Sequence, residues 1–367
     1  MATESLTRSD APRKLNELGQ SLWLDNITRD LLNNGTLGRY ISSGLSVTGL
    51  TSNPTIFDHA ISKSSAYDAD ISSLAKKGLA TEDLFFELAI ADLRRAADLF
   101  KPVYERTATV DGWVSLEVSP LLAYDTAQTL ATARMLHDKA GRANLFIKIP
   151  GTREGLPAIE EAIFHGVAVN VTLLFSTQQY QAAAEAYVRG LERRVAAGLS
   201  PDVRSVASLF VSRWDKATME KLSDKLRNTL GIAVGQQSYR AYRQLLATDR
   251  WQRLENLGAR PQRLLFASTG VKDPSAPDTL YVAALAAPNT VDTMPEETLL
   301  AFGDHGALQG SLRADGGNCE QTLAAIAAAG VDLGALAAQL QKEGAESFNA
   351  SWKNLLKSIE AKSKALK

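Results

Sequence analysis

Hydrophobic residues along this chain follow two rhythms. Short apolar runs closed by Gly, Pro or Asn alternate with longer stretches in which apolar positions recur at helical spacing. The clearest short run is Asn144-Leu145-Phe146-Ile147-Lys148-Ile149-Pro150, ended by Pro150 and Gly151. It predicts a buried strand, with Leu145, Ile147 and Ile149 on one face and Phe146 and Lys148 on the other. Similar runs predict strands at 21–25, 46–54, 112–118, 168–175, 206–211 and 263–268, and the run Thr279–Leu285 supplies an eighth. Between them the pattern predicts helices over 26–42, 55–62, 81–100, from Asp125 to His137, over 153–165 after Thr152, from Ser176 to Ala197, and over 215–229 and 235–256. A helix also starts at Ser9-Asp10-Ala11-Pro12, and three more follow Pro295 and cover 319–328 and 333–366. Residues 1–8 are expected to be frayed.

Eight strands alternating with helices fit an α/β fold, a single (β/α)8 TIM-type barrel with extra C-terminal helices. The barrel would occupy about 20–300 and the helical extension about 315–367, with no Pro-, Gly- or Ser-rich linker dividing the chain. No Gly-rich dinucleotide fingerprint follows the first strand, which argues against a Rossmann domain.

Period-two alternation then sorts the polar residues. Trp23 and Asp25 oppose Leu22 and Leu24, Ser115 and Glu117 oppose Val114 and Leu116, Asn170 and Thr172 oppose Val169 and Val171, and Ser208 and Phe210 oppose Ala207 and Leu209. In each strand the apolar set can face the surrounding helices and the polar set the barrel interior. Asp25, Glu117 and Lys148 also come late in their strands, the end where barrel enzymes carry their chemistry. A lysine in an apolar run is costly without a partner. Burial also lowers a lysine pKa toward the neutral amine that attacks carbonyls.

Composition narrows the classes. With 367 residues, 45% hydrophobic and 22% charged, the chain is ordinary for a globular protein. Its formal net charge of -1 gives no electrostatic reason to expect nucleic acid or an anionic membrane as partner. The lone cysteine, Cys319, excludes an internal disulfide framework and suits a reducing cytoplasm. Residues 1–10 lack an apolar signal core, and the four scattered histidines show no zinc-site spacing. The expectation is a soluble, cytoplasmic protein without a metal.

Each candidate has a plainer reading. Asp25 could cap the next helix, Glu117 could be a structural partner for Lys148, and Asn53 before Pro54 could be turn chemistry alone. Thr172 is an ordinary strand former, Ser208 a small filler, and Arg213 a surface charge beyond its strand. His165 and Cys319 read as structural. Gly151-Thr152-Arg153-Glu154-Gly155 is too loose a match to count as a phosphate loop.

Taken together, the segments Leu24-Asp25, Leu50–Phe57 (LTSNPTIF), Val114–Pro120 (VSLEVSP), Phe146–Pro150 (FIKIP), Asn170–Ser176 (NVTLLFS) and Ser205–Arg213 (SVASLFVSR) resemble the transaldolase family, in its longer bacterial-type form. Ala267–Lys272 (ASTGVK) and Asn289–Pro295 (NTVDTMP) extend the resemblance, which runs in order from about 20 to 300. It implies that Lys148 forms a Schiff base with a ketose phosphate, that Asp25 is the general acid/base, and that Glu117 with Thr172 handles a catalytic water. It further implies that Asn53 and Asn170 hold a dihydroxyacetone fragment, that Ser208 and Arg213 hold phosphate, and that Phe210 lines the substrate site. Shorter members carry an Arg just after the Ser of the seventh strand. Here Ser268 is followed by Thr269-Gly270-Val271-Lys272, so Lys272 is the substitute candidate. The implied partners are small sugar phosphates, with no metal or organic cofactor. Two alternatives are a simple aldolase that releases dihydroxyacetone and a non-catalytic sugar-phosphate binder.

Overall fold

In the computed structural model, which describes residues 7–366, eight parallel strands close into a barrel in sequence order. They are β1 (Gln20–Asp25), β2 (Val47–Thr51), β3 (Trp113–Glu117), β4 (Leu145–Pro150), β5 (Val169–Leu174), β6 (Ser205–Phe210), β7 (Gln262–Ala267) and β8 (Thr290–Met294). β8 pairs with β1, Trp23 opposite Thr293, and completes the ring. The outward residues Leu22, Leu24, Val114, Leu116, Ile147, Val169 and Val171 are all buried, as strands covered by helices require.

The eighth strand is not where the apolar pattern put it. Thr279–Leu285 contains the helix Leu280–Ala284, and β8 follows at Thr290–Met294. A short apolar run does not by itself distinguish strand from buried helix, and this one is rich in the helix formers Leu and Ala. The true strand, TVDTM, is mostly polar and so gave no apolar signal. Three helical spans also differ. The expected 235–256 helix is two, Leu230–Leu246 and Asp249–Asn256, the second capped by the Thr248 hydroxyl on Trp251 N. The helix expected over 215–229 is the short Ser212–Thr218, and Asp68–Lys76 is a helix the pattern did not reveal. At the N-terminus, positions 1–6 lie outside the described residues. Arg8 is not frayed: its backbone N donates to Gly303 O and its guanidinium pairs with Asp304.

The lower barrel interior is a packed plug. Trp113 stacks on Phe146 with ring centroids 4.1 Å apart, and Trp23 lies 6.2 Å from the same ring. Gly49 makes room for this, since a Cβ there would sit 2.6 Å from the Trp23 indole. Below, Ser21, Trp23 and Arg263 converge on Asp111. The filled floor leaves the C-terminal ends of the strands as the open end.

The helix Leu333–Ala365 lies across that end. At 33 residues it spans about 50 Å. It packs on the helix Pro54–Lys63, where the Thr55 and Ser351 hydroxyls bond at 2.8 Å. Trp352 seats edge-on against Phe85, with centroids 4.9 Å apart. Each fully buried aromatic of this kind stabilises the docked helix by roughly 2–3 kcal/mol. Among the described residues no single helix is long and apolar enough to cross a membrane.

Candidate active site

Strand register builds the centre of the site. Glu117 of β3, Lys148 of β4 and Asn170 of β5 are Cα partners in consecutive pairings, so three inward side chains share one level of the barrel. Lys148 Nζ lies 3.4 Å from Glu117 Oε2 and donates to Ser52 O at 3.2 Å. Both residues are about 95% removed from solvent, Lys148 being 4% exposed and Glu117 5%. The plainer reading of Glu117 as the lysine's partner is therefore correct as far as it goes. Neither carboxylate oxygen makes a hydrogen bond among the described residues. Desolvation pushes the Glu117 carboxyl up to about 7, against the opposing pull of the Lys148 charge.

Asp25 closes β1 at the cavity edge and accepts a 2.7 Å bond from Thr51 Oγ1, whose oxygen also lies 2.6 Å from Thr293 Oγ1. Burial raises its pKa, opposed first by the charge on Lys148. Asp25 caps no helix: Thr28 holds that place for the next one, with its hydroxyl on Leu31 N.

Asp25, Lys148, Asn53, Ser208, Phe210, Arg213 and Lys272 line one cavity of about 430 Å³, with Ser268 and Phe348. Asn53 is half committed to local structure, because its Oδ1 caps the helix Pro54–Lys63 on Ile56 N. Its amide nitrogen remains as a donor.

Asn170 and Thr172 lie behind the lining. Asn170 is fully buried, donating to Ser115 Oγ at 3.1 Å and accepting from Ser208 Oγ at 2.7 Å. The Ser208 proton is thus spent inside the barrel, which leaves it a poor phosphate donor in this arrangement. Thr172 is fully buried, and its Oγ1 has no hydrogen-bond partner among the described residues.

One end of the cavity is cationic. The Arg213 guanidinium lies 5.1 Å from the centre of the Phe210 ring and 5.9 Å from that of Phe348. Burial works against the Arg213 charge. Lys272, on the rim, has its pKa lowered by desolvation and then by Arg213, and Lys216 adds to the repulsion. No described carboxylate forms an ion pair with Arg213 or Lys272, so a bound anion would relieve both.

Phe348 and Ser268 complete the wall, although the sequence offers Phe348 only as a packing residue of the C-terminal helix and Ser268 only as part of a matching segment. Phe348 lies on the C-terminal helix with its ring 6.0 Å from Lys148 Nζ. An aromatic at helical spacing signals packing of any kind, so its place over the lysine was not legible. Ser268 holds a left-handed φ of 56° and its Oγ lies 3.0 Å from Ser212 Oγ. Cys319 and His165 do not line the cavity. Thr152 makes a local turn, its hydroxyl accepting from Gly155 N. No group of three or more His, Cys, Asp or Glu among the described residues is placed to hold a metal.

This arrangement suits covalent carbonyl chemistry: a dry amine, two carboxyls with raised pKa, and cations at one end for an anionic tail. The sequence matches the family model for "Transaldolase/Fructose-6-phosphate aldolase" over residues 22–359. It is 44% identical to a transaldolase of Saccharopolyspora erythraea over 361 residues, 96% of this chain and 98% of that one. It is also 44% identical to a transaldolase of Thermobifida fusca (94% of this chain, 96% of that one) and 43% identical to transaldolase 2 of Streptomyces coelicolor (98% of each). The chain belongs to the transaldolase/fructose-6-phosphate aldolase family.

Proposed function

We propose that this chain is a transaldolase. It would move a dihydroxyacetone unit from sedoheptulose 7-phosphate or fructose 6-phosphate to glyceraldehyde 3-phosphate or erythrose 4-phosphate, in the non-oxidative pentose phosphate pathway. The observation that carries the reading is the Lys148 amine, buried in the barrel mouth 3.4 Å from Glu117 and sharing a cavity with Asp25. Relatives at 43–44% identity that bear the name transaldolase support it.

Lys148 attacks the ketose C2 carbonyl and the carbinolamine loses water to give a protonated imine. That imine accepts the electrons released when the C3–C4 bond breaks, as Asp25 removes the C4 hydroxyl proton and the aldose phosphate leaves. The remaining enamine attacks the aldehyde carbon of a second aldose phosphate, and Asp25 returns its proton to the new hydroxyl. Hydrolysis of the imine then frees the product ketose and Lys148. A carboxyl near pH 7 exchanges protons readily at neutrality, which suits Glu117 to the gain and loss of water at C2. A water bridging Glu117 and the unpartnered Thr172 Oγ1 would carry those protons. Asn53 and Asn170 would fix the three-carbon fragment, Asn170 with the Ser208 bond as its brace. Arg213 and Lys272 would hold phosphate, with Phe210 beside them.

The family description also covers fructose-6-phosphate aldolase, which favours one second reading, release of free dihydroxyacetone. The test is to supply fructose 6-phosphate with and without erythrose 4-phosphate. The proposal expects sedoheptulose 7-phosphate with the acceptor and little dihydroxyacetone without it. Equal C–C cleavage in both reactions would reverse the choice.

A further inference from the structure

We propose that Gln341, on the C-terminal helix, is a positioning residue that sets the aim of the Thr172 hydroxyl. The inference rests on the transaldolase reading above. Beside Thr172, β5 is irregular: pairing passes from Val171↔Ala207 to Leu174↔Leu209, so β5 uses one residue more than β6. Such a bulge re-aims side chains, and bulges gather near active sites. The extra residue falls at Thr172-Leu173, and Leu173 takes a left-handed φ of 59°. A bulky residue seldom adopts that conformation unless its surroundings impose it.

Gln341 supplies what holds it. Its Nε2 donates to Leu173 O at 2.9 Å and to Gly151 O at 3.1 Å. Gly151 N in turn donates to Thr172 O at 2.7 Å. One side-chain amide thereby joins the end of the lysine strand to the bulge, and the two carbonyls that flank the Leu173 Cα are both held, Leu173 O by Gln341 and Thr172 O by Gly151 N. Gly344, one turn further along, permits the approach, since a Cβ there would stand 3.0 Å from Leu173 and 3.3 Å from Arg213. The grip falls on a left-handed residue next to a buried hydroxyl that has no partner among the described residues.

The test is a double-mutant cycle of Gln341→Leu and Thr172→Val, read by the rate at which Lys148 becomes trappable with fructose 6-phosphate and borohydride. Acceptor addition to the preformed enamine is followed separately. Gln341→Leu is expected to slow imine formation about 10- to 100-fold, the range for a catalytic group misplaced by about 1 Å. Acceptor addition should stay near wild type, and Gln341→Leu should cost nothing further once Thr172 is Val. Equal losses in both backgrounds, or parallel losses in both chemical steps, would overturn the inference. Gln341→Met carries the same expectations should the leucine variant fail to fold. If the wild type itself cannot be trapped at Lys148, the transaldolase reading falls and this inference with it. A trappable wild type with an additive cycle refutes only the role of Gln341.

Discussion

The raised carboxyl pKa of Glu117 underlies its proposed role, and its leading cause, burial, can be measured elsewhere in the same barrel. Replacing Glu117 would also strand Lys148, so the clean site is Asp292 on β8. It is fully buried and desolvation pushes it up to about 7, while a single bond from Thr269, 2.8 Å long, opposes the shift. The sign follows from linkage. A carboxyl whose folded pKa exceeds its unfolded value contributes most below the unfolded pKa and loses that contribution as pH rises to the folded one. From 3.8 to about 7, the full loss is about 4 kcal/mol. Roughly 2.5 kcal/mol of it falls between about pH 5 and about pH 8.

Asp292→Asn keeps an acceptor for Thr269 and cannot ionise. Its amide carries a fixed cost that cancels when the two pH values are compared. Denaturant unfolding of both proteins should show the variant gaining about 2.5 kcal/mol on wild type as pH rises from about 5 to about 8. Near pH 8 alone, the ionisation effect corresponds to a shift of about 5 °C in Tm for a chain of this length. A stability difference that does not change with pH would refute the claim that burial governs these carboxyls, and with it the reason given for Glu117.

Three further outcomes are expected. Lys272→Ala should raise KM for phosphorylated substrates by about 10- to 100-fold with kcat little changed, as loss of a charged contact made equally in ground and transition states requires; unchanged KM would remove Lys272 from the phosphate end. Phe348→Ala opens the wall above Lys148 and should raise dihydroxyacetone release relative to transfer, measured as the ratio of the two products; a constant ratio would show that the ring does not exclude water. Asp25→Asn should form the imine at a near-normal rate and slow C–C cleavage by about 10²- to 10⁴-fold in single-turnover assays; normal cleavage would reject its acid/base role.

What the sequence made legible follows from which physics is local. Period-two alternation is a property of any strand, so the inward set Asp25, Glu117, Lys148, Asn170 and Ser208 was readable without coordinates. Their shared level was not, because it depends on register between strands far apart in the chain. β8 escaped because an interior face filled by Val291 and Thr293 beside a buried Asp292 carries no apolar rhythm. Gln341, and the place of Phe348 over the lysine, escaped for another reason. Their meaning comes from where the C-terminal helix lands, for Gln341 on strand ends 190 and 168 residues earlier, and helical periodicity reports only that such a helix has a buried side. The Ser208–Asn170 bond was equally hidden, and it ties the hydroxyl of this cavity-lining serine to Asn170.

The central claim is that the Lys148 amine becomes covalently joined to substrate. Borohydride reduction with fructose 6-phosphate, followed by peptide mapping, tests it directly. The account predicts one stable adduct, on Lys148, absent from Lys148→Ala together with turnover. Label on another lysine, or substantial turnover in Lys148→Ala, would contradict it.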